Sequence, residues 1–317
     1  MAGRSAGPRR DARPSPRPRF LARAGAAVVH GETLHRRVAL LLLRPVLPEP
    51  DVARLPPVDD RDPRGRGEGP AMILVVLPAY NEADALPPLL SRLKKASLGH
   101  LQSALSVIVV DDGSTDATAD AARSTDGLAV KVIVHPKNRG LSEAIRTGLL
   151  AAVEQARDDD VIVTMDADDT QGPGLISRMT MLIEEGNDVV VASRYAPGGR
   201  VLGVPGGRRL LSRGASALFR LVYPVTGVRD YTCGYRAYRA GLLRQAFARW
   251  GRDFVSEPGF SCMVDILLKL DRLGAVITEA PLILRYDRKP GKSKMDVRRT
   301  VLQTLKLLGR HRFGRVD

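Results

Sequence analysis

The sequence predicts an α/β fold: a mostly parallel sheet with helices on both faces, followed by a less regular C-terminal part. Two observations carry this prediction. From Ala71 onward, short and nearly continuous apolar runs alternate with helical segments, the pattern of strands buried on both faces. The acidic and polar clusters fall at the ends of those runs, where open α/β sheets collect their ligands.

Taken in order, the strands are expected at Met72–Leu77, Ser106–Val110, Val130–Val134, Val161–Met165 and Asp188–Ala192. Helices are expected between them at Asp84–Ala96, Thr115–Ser124, Leu141–Arg157 and Pro173–Glu185. Beyond about residue 200 the pattern loosens. Gly207–Val222 reads as a helix with apolar Leu210, Leu211, Leu218 and Leu221 beside Arg208, Arg209, Arg213 and Arg220. Such a helix suits a membrane surface or a core with a basic outer face. A helix over Glu257–Leu273, a strand near Val276–Leu284 and a last helix over Val297–Leu308 follow.

Residues 1–69 are a separate region, rich in Arg, Pro and Gly with no sustained period. Missing donors at Pro and the charge density oppose collapse, so a disordered basic arm is expected, with a short helix around Ala24–Leu43. Residues 70–317 are expected to form one folded domain.

The chain of 317 residues is 44% hydrophobic but only 4% aromatic, so its core rests on Leu, Val, Ile and Ala. The two cysteines, Cys233 and Cys262, make no disulfide framework and no metal-binding spacing, which points to a reducing compartment. No apolar run reaches the ~20 residues that span a bilayer. The Arg- and Pro-rich start is unlike a secretory signal. A cytoplasmic, peripherally attached protein is expected. The net charge of +14 suits anionic partners. Nucleic acid is the reading charge alone suggests. Asp111, Asp112, Asp166 and Asp168 argue against it, because carboxylates repel phosphates unless a metal lies between them.

Four motifs carry the chemistry. The run Val161–Met165 ends in Asp166-Ala167-Asp168-Asp169-Thr170-Gln171; carboxylates spaced by one residue at a strand end suit a hard divalent cation bridging two phosphates. The first strand ends in Pro78-Ala79-Tyr80-Asn81-Glu82, in which Pro78 is expected to stop the ladder and Tyr80 and Glu82 to offer a flat face and an acceptor. The second ends in Asp111-Asp112-Gly113-Ser114-Thr115-Asp116, and the third leads to Asn138-Arg139-Gly140.

In this order and spacing the motifs resemble the family 2 glycosyltransferases of GT-A fold, over about residues 71–300. The resemblance implies a nucleotide-sugar donor, a divalent metal (Mg2+ or Mn2+) and an inverting transfer. It implies that Pro78, Tyr80, Glu82, Asp111 and Asp112 hold the nucleoside, and Asp166 and Asp168 the diphosphate and metal. Within the family, the later segments are similar to the polyprenyl-phosphate sugar synthases. They include Ala192-Ser193-Arg194-Tyr195, Ser212-Arg213-Gly214-Ala215, Asp230–Arg236, Phe254–Glu257 and Arg288–Met295. That similarity implies GDP-mannose as donor and a polyprenyl or dolichyl phosphate at a membrane surface as acceptor. Arg194, Arg213, Arg288 and Lys294 then meet phosphates, and a membrane-protein partner is a further implication. UDP-glucose or a soluble acceptor is the alternative. Two positions depart from the pattern. Thr170 stands where the subfamily often has a metal-binding Gln, leaving Gln171 one residue further on. Cys233 stands where it has Ser. A nucleophilic role for Cys233 is not expected, since no adjacent His supports a thiolate. A lipid phosphate is already anionic, so no general base is nominated. Arg194, Arg213, Arg288 and the metal ligand Asp168 form the expected catalytic set.

Overall fold

A computed structural model describes residues 71–99, 104–204 and 206–288 of the chain. The basic arm, the helix around Ala24–Leu43, the final helix over Val297–Leu308 and Lys294 lie outside the described residues.

The first half alternates strictly. Strand β1 (Ile73–Ala79) leads to helix α1 (Leu86–Gly99), β2 (Leu105–Asp111) to α2 (Thr118–Arg123), and β3 (Ala129–Val134) to α3 (Leu141–Gln155). Strand β4 (Val161–Thr164) leads to α4 (Leu175–Glu184), then to β5 (Val189–Ser193). The second half holds β6 (Arg200–Leu202), α5 (Gly206–Val222), β7 (Arg236–Arg239), α6 (Ala240–Trp250), α7 (Ser261–Arg272), β8 (Ile277–Pro281) and β9 (Ile283–Arg285).

One seven-stranded sheet runs in the order β3-β2-β1-β4-β7-β5-β8, and β6 pairs with β9 beside it. Strand β7 alone runs against its neighbours β4 and β5. Ile73 through Leu77 are all fully buried. Successive strand side chains point to opposite faces, so both faces of β1 are covered, which is why these strands read as unbroken apolar runs. On one face α3 comes so close that a Cβ on Gly148 would lie 2.3 Å from Val76 Cγ1. Chain order reverses between β1 and β4, and the crevice beyond their carboxyl ends is where such sheets bind ligands.

Several expectations change. Pro78 does not stop the ladder: β1 continues to Ala79, with Pro78 opposite Val110. Val76 C=O accepts from Met165 N–H and Ala79 C=O from Asp112 N–H. By alternation, the missing N–H of Pro78 faces the β4 side, where β4 has already ended, so no ladder bond is lost. The strand expected near Val276–Leu284 is two strands that serve different sheets. Strand β7 and helix α6 had no counterpart in the sequence pattern. Arg236-Ala237-Tyr238-Arg239 offers no apolar run, and α6 follows it without a linker.

Candidate active site

The ends of β1 and β2 are knitted together by side chains. Asn81, held at φ 53°, donates its N–H to Ser114 Oγ (2.9 Å), and its Oδ1 accepts the N–H of Thr115 (2.8 Å). Glu82 N–H donates to Thr118 Oγ1 (2.9 Å). Tyr80 is 37% exposed beside them. Asp111 Oδ1 accepts the N–H of Ser114 (3.0 Å), which closes the turn after β2. The expected nucleoside contacts Pro78, Tyr80, Glu82 and Asp111 therefore share one rim.

Asp112 behaves differently. It is 3% exposed, and its carboxylate accepts from three protein donors. These are His135 Nδ1 (2.7 Å), Arg139 N–H (3.0 Å) and Gly140 N–H (2.7 Å). The last two lie at the start of α3, where a negative charge is favoured. In this structure Asp112 joins β2 to α3. Asn81 lies in the first-strand motif without a nominated role and His135 lies in no motif; only the fold brings them to their partners.

The loop after β4 is self-braced. Gln171 donates from Nε2 to Asp166 Oδ2 (2.7 Å) and accepts the Asp166 N–H on Oε1 (2.9 Å). Thr170 gives its hydroxyl (2.7 Å) and its N–H (3.2 Å) to Asp168 Oδ1. Between them Asp169, at φ 62°, forms an ion pair with Arg92 of α1. Gln171 thus orients Asp166, and Thr170 orients Asp168. Among the described residues no group of three or more His, Cys, Asp or Glu could hold a metal. Two carboxylates in one braced loop fit a cation that takes its other ligands from a diphosphate and water, as Mg2+ does.

Past β5 an arginine is held in a buried ion pair. Arg194, just past β5, donates from Nε and Nη2 to the two oxygens of Asp230 (both 2.7 Å) and from Nη2 to Thr232 Oγ1 (2.7 Å). Complete burial pushes the Asp230 carboxyl up, and the Arg194 guanidinium more than offsets this, holding it below the usual carboxylate range. Burial opposes the Arg194 charge in turn, and Asp230 raises its pKa above the ordinary value. The Asp230–Gly234 loop comes back to Asp166: a Cβ on Gly234 would lie 3.5 Å from Asp166 Oδ1. Arg236, fully buried, binds this loop through the carbonyls of Tyr231 (2.8 Å) and Cys233 (2.9 Å), and ties it to α7 through that of Met263 (2.6 Å). Burial pushes the Cys233 thiol up to about 12, which agrees with its exclusion as a nucleophile.

Arg213 is exposed on α5. Arg288 closes the short 3₁₀ turn Tyr286–Arg288 after β9. Its placement follows from a bond upstream: Arg285 N–H donates to the Thr170 carbonyl (2.9 Å), so the segment leading to Arg288 leaves from beside the aspartate loop.

Braced carboxylates after β4 and a buried, paired arginine after β5 lie at the carboxyl ends of neighbouring parts of one α/β sheet, where such sheets bind ligands. The sequence profile of glycosyl transferase family 2 matches residues 74–247. The undecaprenyl-phosphate mannosyltransferase of Micrococcus luteus is 34% identical over 226 residues, 71% of this chain and 87% of that protein. The polyprenol monophosphomannose synthase of Mycolicibacterium smegmatis is 33% identical over 242 residues, 74% of this chain and 86% of that protein. In three dimensions, the crystal structure of glucosyl-3-phosphoglycerate synthase from Mycobacterium tuberculosis with Mn2+, UDP and glucosyl-3-phosphoglycerate gives a TM-score of 0.55 at 21% identity. The match covers 78% of this chain and 82% of that one, and speaks for the fold. The chain belongs to glycosyl transferase family 2. It is a glycosyltransferase with the GT-A fold that its motifs imply, similar to polyprenyl-phosphate mannosyltransferases.

Proposed function

We propose that this enzyme transfers a hexose, mannose from GDP-mannose, to a polyprenyl or dolichyl phosphate, with inversion and with Mg2+ or Mn2+ present. The observation that carries the reading is the Arg285–Thr170 bond, which brings the chain leading to Arg288 against the loop of Asp166 and Asp168. The relatives named above support the lipid phosphate and the mannose.

Asp166 and Asp168 are the residues that would hold the metal, which when bound neutralises charge on the departing diphosphate. Pro78, Tyr80, Glu82 and Asp111 receive the nucleoside, over a floor kept in place by Asp112. Arg194 has Nε and Nη2 fixed by Asp230 and Thr232, and among the described residues Nη1 makes no hydrogen bond. A guanidinium so oriented presents its remaining edge to a phosphate without reorganising. Arg213, Arg288 and Lys294 complete the acceptor side. The acceptor phosphate oxygen attacks the anomeric carbon as the bond to the diphosphate breaks, giving the inverted glycosyl phosphate and a nucleoside diphosphate. The nucleophile is already anionic, so the chain's task is positioning and charge stabilisation.

Peripheral attachment at the cytoplasmic face is part of the reading. Exposed Leu202, Leu218 and Leu221 lie on elements that also carry Arg200, Arg213 and Arg220, and exposed Ile283 shares β9 with Arg285, a mixture suited to an anionic lipid surface. No helix among the described residues is long and apolar enough to cross a membrane. A membrane-protein partner has no support in the fold or the relatives and is not included.

The test incubates the full chain with Mn2+ and GDP-mannose or UDP-glucose, with and without polyprenyl phosphate, and identifies products by mass. Mannosylphosphoryl polyprenol is the expected product. A glucosyl lipid would correct the donor, and no lipid-linked product from either sugar would overturn the acceptor.

A further inference from the structure

We propose that His135 is a positioning residue for the nucleotide donor, acting through Asp112 on the floor of the nucleoside site; the inference rests on the reading above. His135 is 5% exposed and uses both its backbone and its ring. Its N–H donates to the Asp111 carbonyl (2.8 Å). Its Nδ1 lies 2.7 Å from Asp112 Oδ1 and its Nε2 lies 3.0 Å from Thr147 Oγ1 on α3. An ionised carboxylate only accepts, so Nδ1 carries the proton; in a neutral ring Nε2 accepts from the Thr147 hydroxyl.

The ring is therefore a strut between the end of β2 and the body of α3, and the loop 136–140 is carried on it. That loop lies directly against the turn after β2. Gly113, at φ +69°, packs so tightly that a Cβ there would lie 2.3 Å from Lys137 C and 2.5 Å from Asn138 N. The same turn aims Asp111 through the Ser114 N–H, and Ser114 Oγ holds Asn81 between Tyr80 and Glu82. Loss of the imidazole leaves a buried carboxylate short of a donor, which is costly. The loop then relaxes away from Gly113, and both sides of the nucleoside rim lose definition. None of these bonds reaches Asp166, Asp168 or Gln171. The effect falls on nucleoside affinity and spares the chemistry of donor already bound. A histidine that merely filled space would show no such split.

The experiment measures GDP and UDP binding by calorimetry with Mn2+ on the full-length wild type, His135→Leu, His135→Asn and Thr147→Val, alongside thermal unfolding and kcat at saturating donor. His135→Leu should weaken binding of the preferred nucleotide about tenfold or more while kcat stays within about threefold, the signature of lost ground-state binding. His135→Asn, whose amide can still donate to Asp112, should recover most of the affinity. Unchanged affinity in His135→Leu, a loss that His135→Asn does not recover, or an equal loss of kcat overturns the proposal. If His135→Leu does not unfold cooperatively, Thr147→Val decides: weakening of about threefold supports the strut, and wild-type affinity overturns it. A wild type that binds neither nucleotide would sink the proposed function itself, whereas a binding wild type matched by His135→Leu sinks only this inference.

Discussion

Strands β2 and β4 belong to the same sheet, both end in aspartates, and the two acidic groups do different work. After β2, Asp112 accepts from three donors spread over β3's end and the start of α3. After β4, Asp166 and Asp168 are braced from within their own loop, by Gln171 and Thr170. The first arrangement ties distant segments together and uses the carboxylate in doing so. The second orients two carboxylates from neighbours in the same loop, while Asp169 and the Thr170 carbonyl join that loop to Arg92 and Arg285. An acidic pair at a strand end is thus not a ligand site by composition; what decides is where its hydrogen-bond donors come from.

The contrast is broken most forcefully at Asp168. Asp168→Ala should lower transfer by about three orders of magnitude, ~4 kcal/mol of transition-state stabilisation, if the residue holds the metal on the diphosphate as proposed. Its cooperative unfolding should persist, since its bonds to Thr170 are local. Turnover near wild type in saturating Mn2+ would remove the distinction.

Asp230 sharpens the comparison as a third aspartate, buried and paired. Asp230→Asn leaves the Arg194 charge without its counter-ion and should destabilise the protein by roughly 3 kcal/mol at neutral pH. The sign with pH follows from the depressed Asp230 carboxyl. Its contribution is complete above the unfolded carboxylate value near ~3.9 and is lost as pH falls through the lower folded value. Thermal melts from pH 7 to pH 3 should show a wild-type decline that Asp230→Asn shows less of; parallel curves would contradict the assignment.

Gln171→Ala tests the bracing itself. Asp166 would keep its charge and lose its orientation, and transfer should fall about tenfold with little change in melting temperature. A large loss of stability instead would show that the Gln171–Asp166 bonds, too, hold the fold together. The smallest effect is expected at the thiols. Burial pushes Cys233 and Cys262 up to about 12, so alkylating reagent at pH 8 should leave transfer unchanged in the native protein. Rapid inactivation would reopen Cys233.

The sequence made the parallel half legible because its signals are local. An apolar run followed within two residues by Asp or Tyr-Asn-Glu marks both a buried strand and its ligand end. The loop after β4 was readable for the same reason, although the roles of Thr170 and Gln171 as orienting groups needed coordinates. The second half was less legible because its bonds are long-range. Arg236 sits in a central strand, where a charge contradicts the apolar pattern, and it is satisfied by carbonyls of Tyr231, Cys233 and Met263. The Arg194–Asp230 pair spans 36 residues, and nothing in either segment names the other. The family resemblance assigns Asp112 to the nucleoside together with Asp111; its bonds to His135, Arg139 and Gly140 join segments too far apart in the chain for the sequence to pair them.

The division between the two acidic groups is tested most directly by calorimetric binding of GDP, with and without Mn2+, to Asp168→Ala and Asp112→Ala side by side, with melting temperature recorded on each. The account predicts that Asp168→Ala loses the Mn2+ enhancement and keeps its stability, while Asp112→Ala keeps the enhancement and loses stability. Asp112→Ala abolishing the Mn2+ enhancement in a stably folded protein, or Asp168→Ala retaining it, would contradict the account.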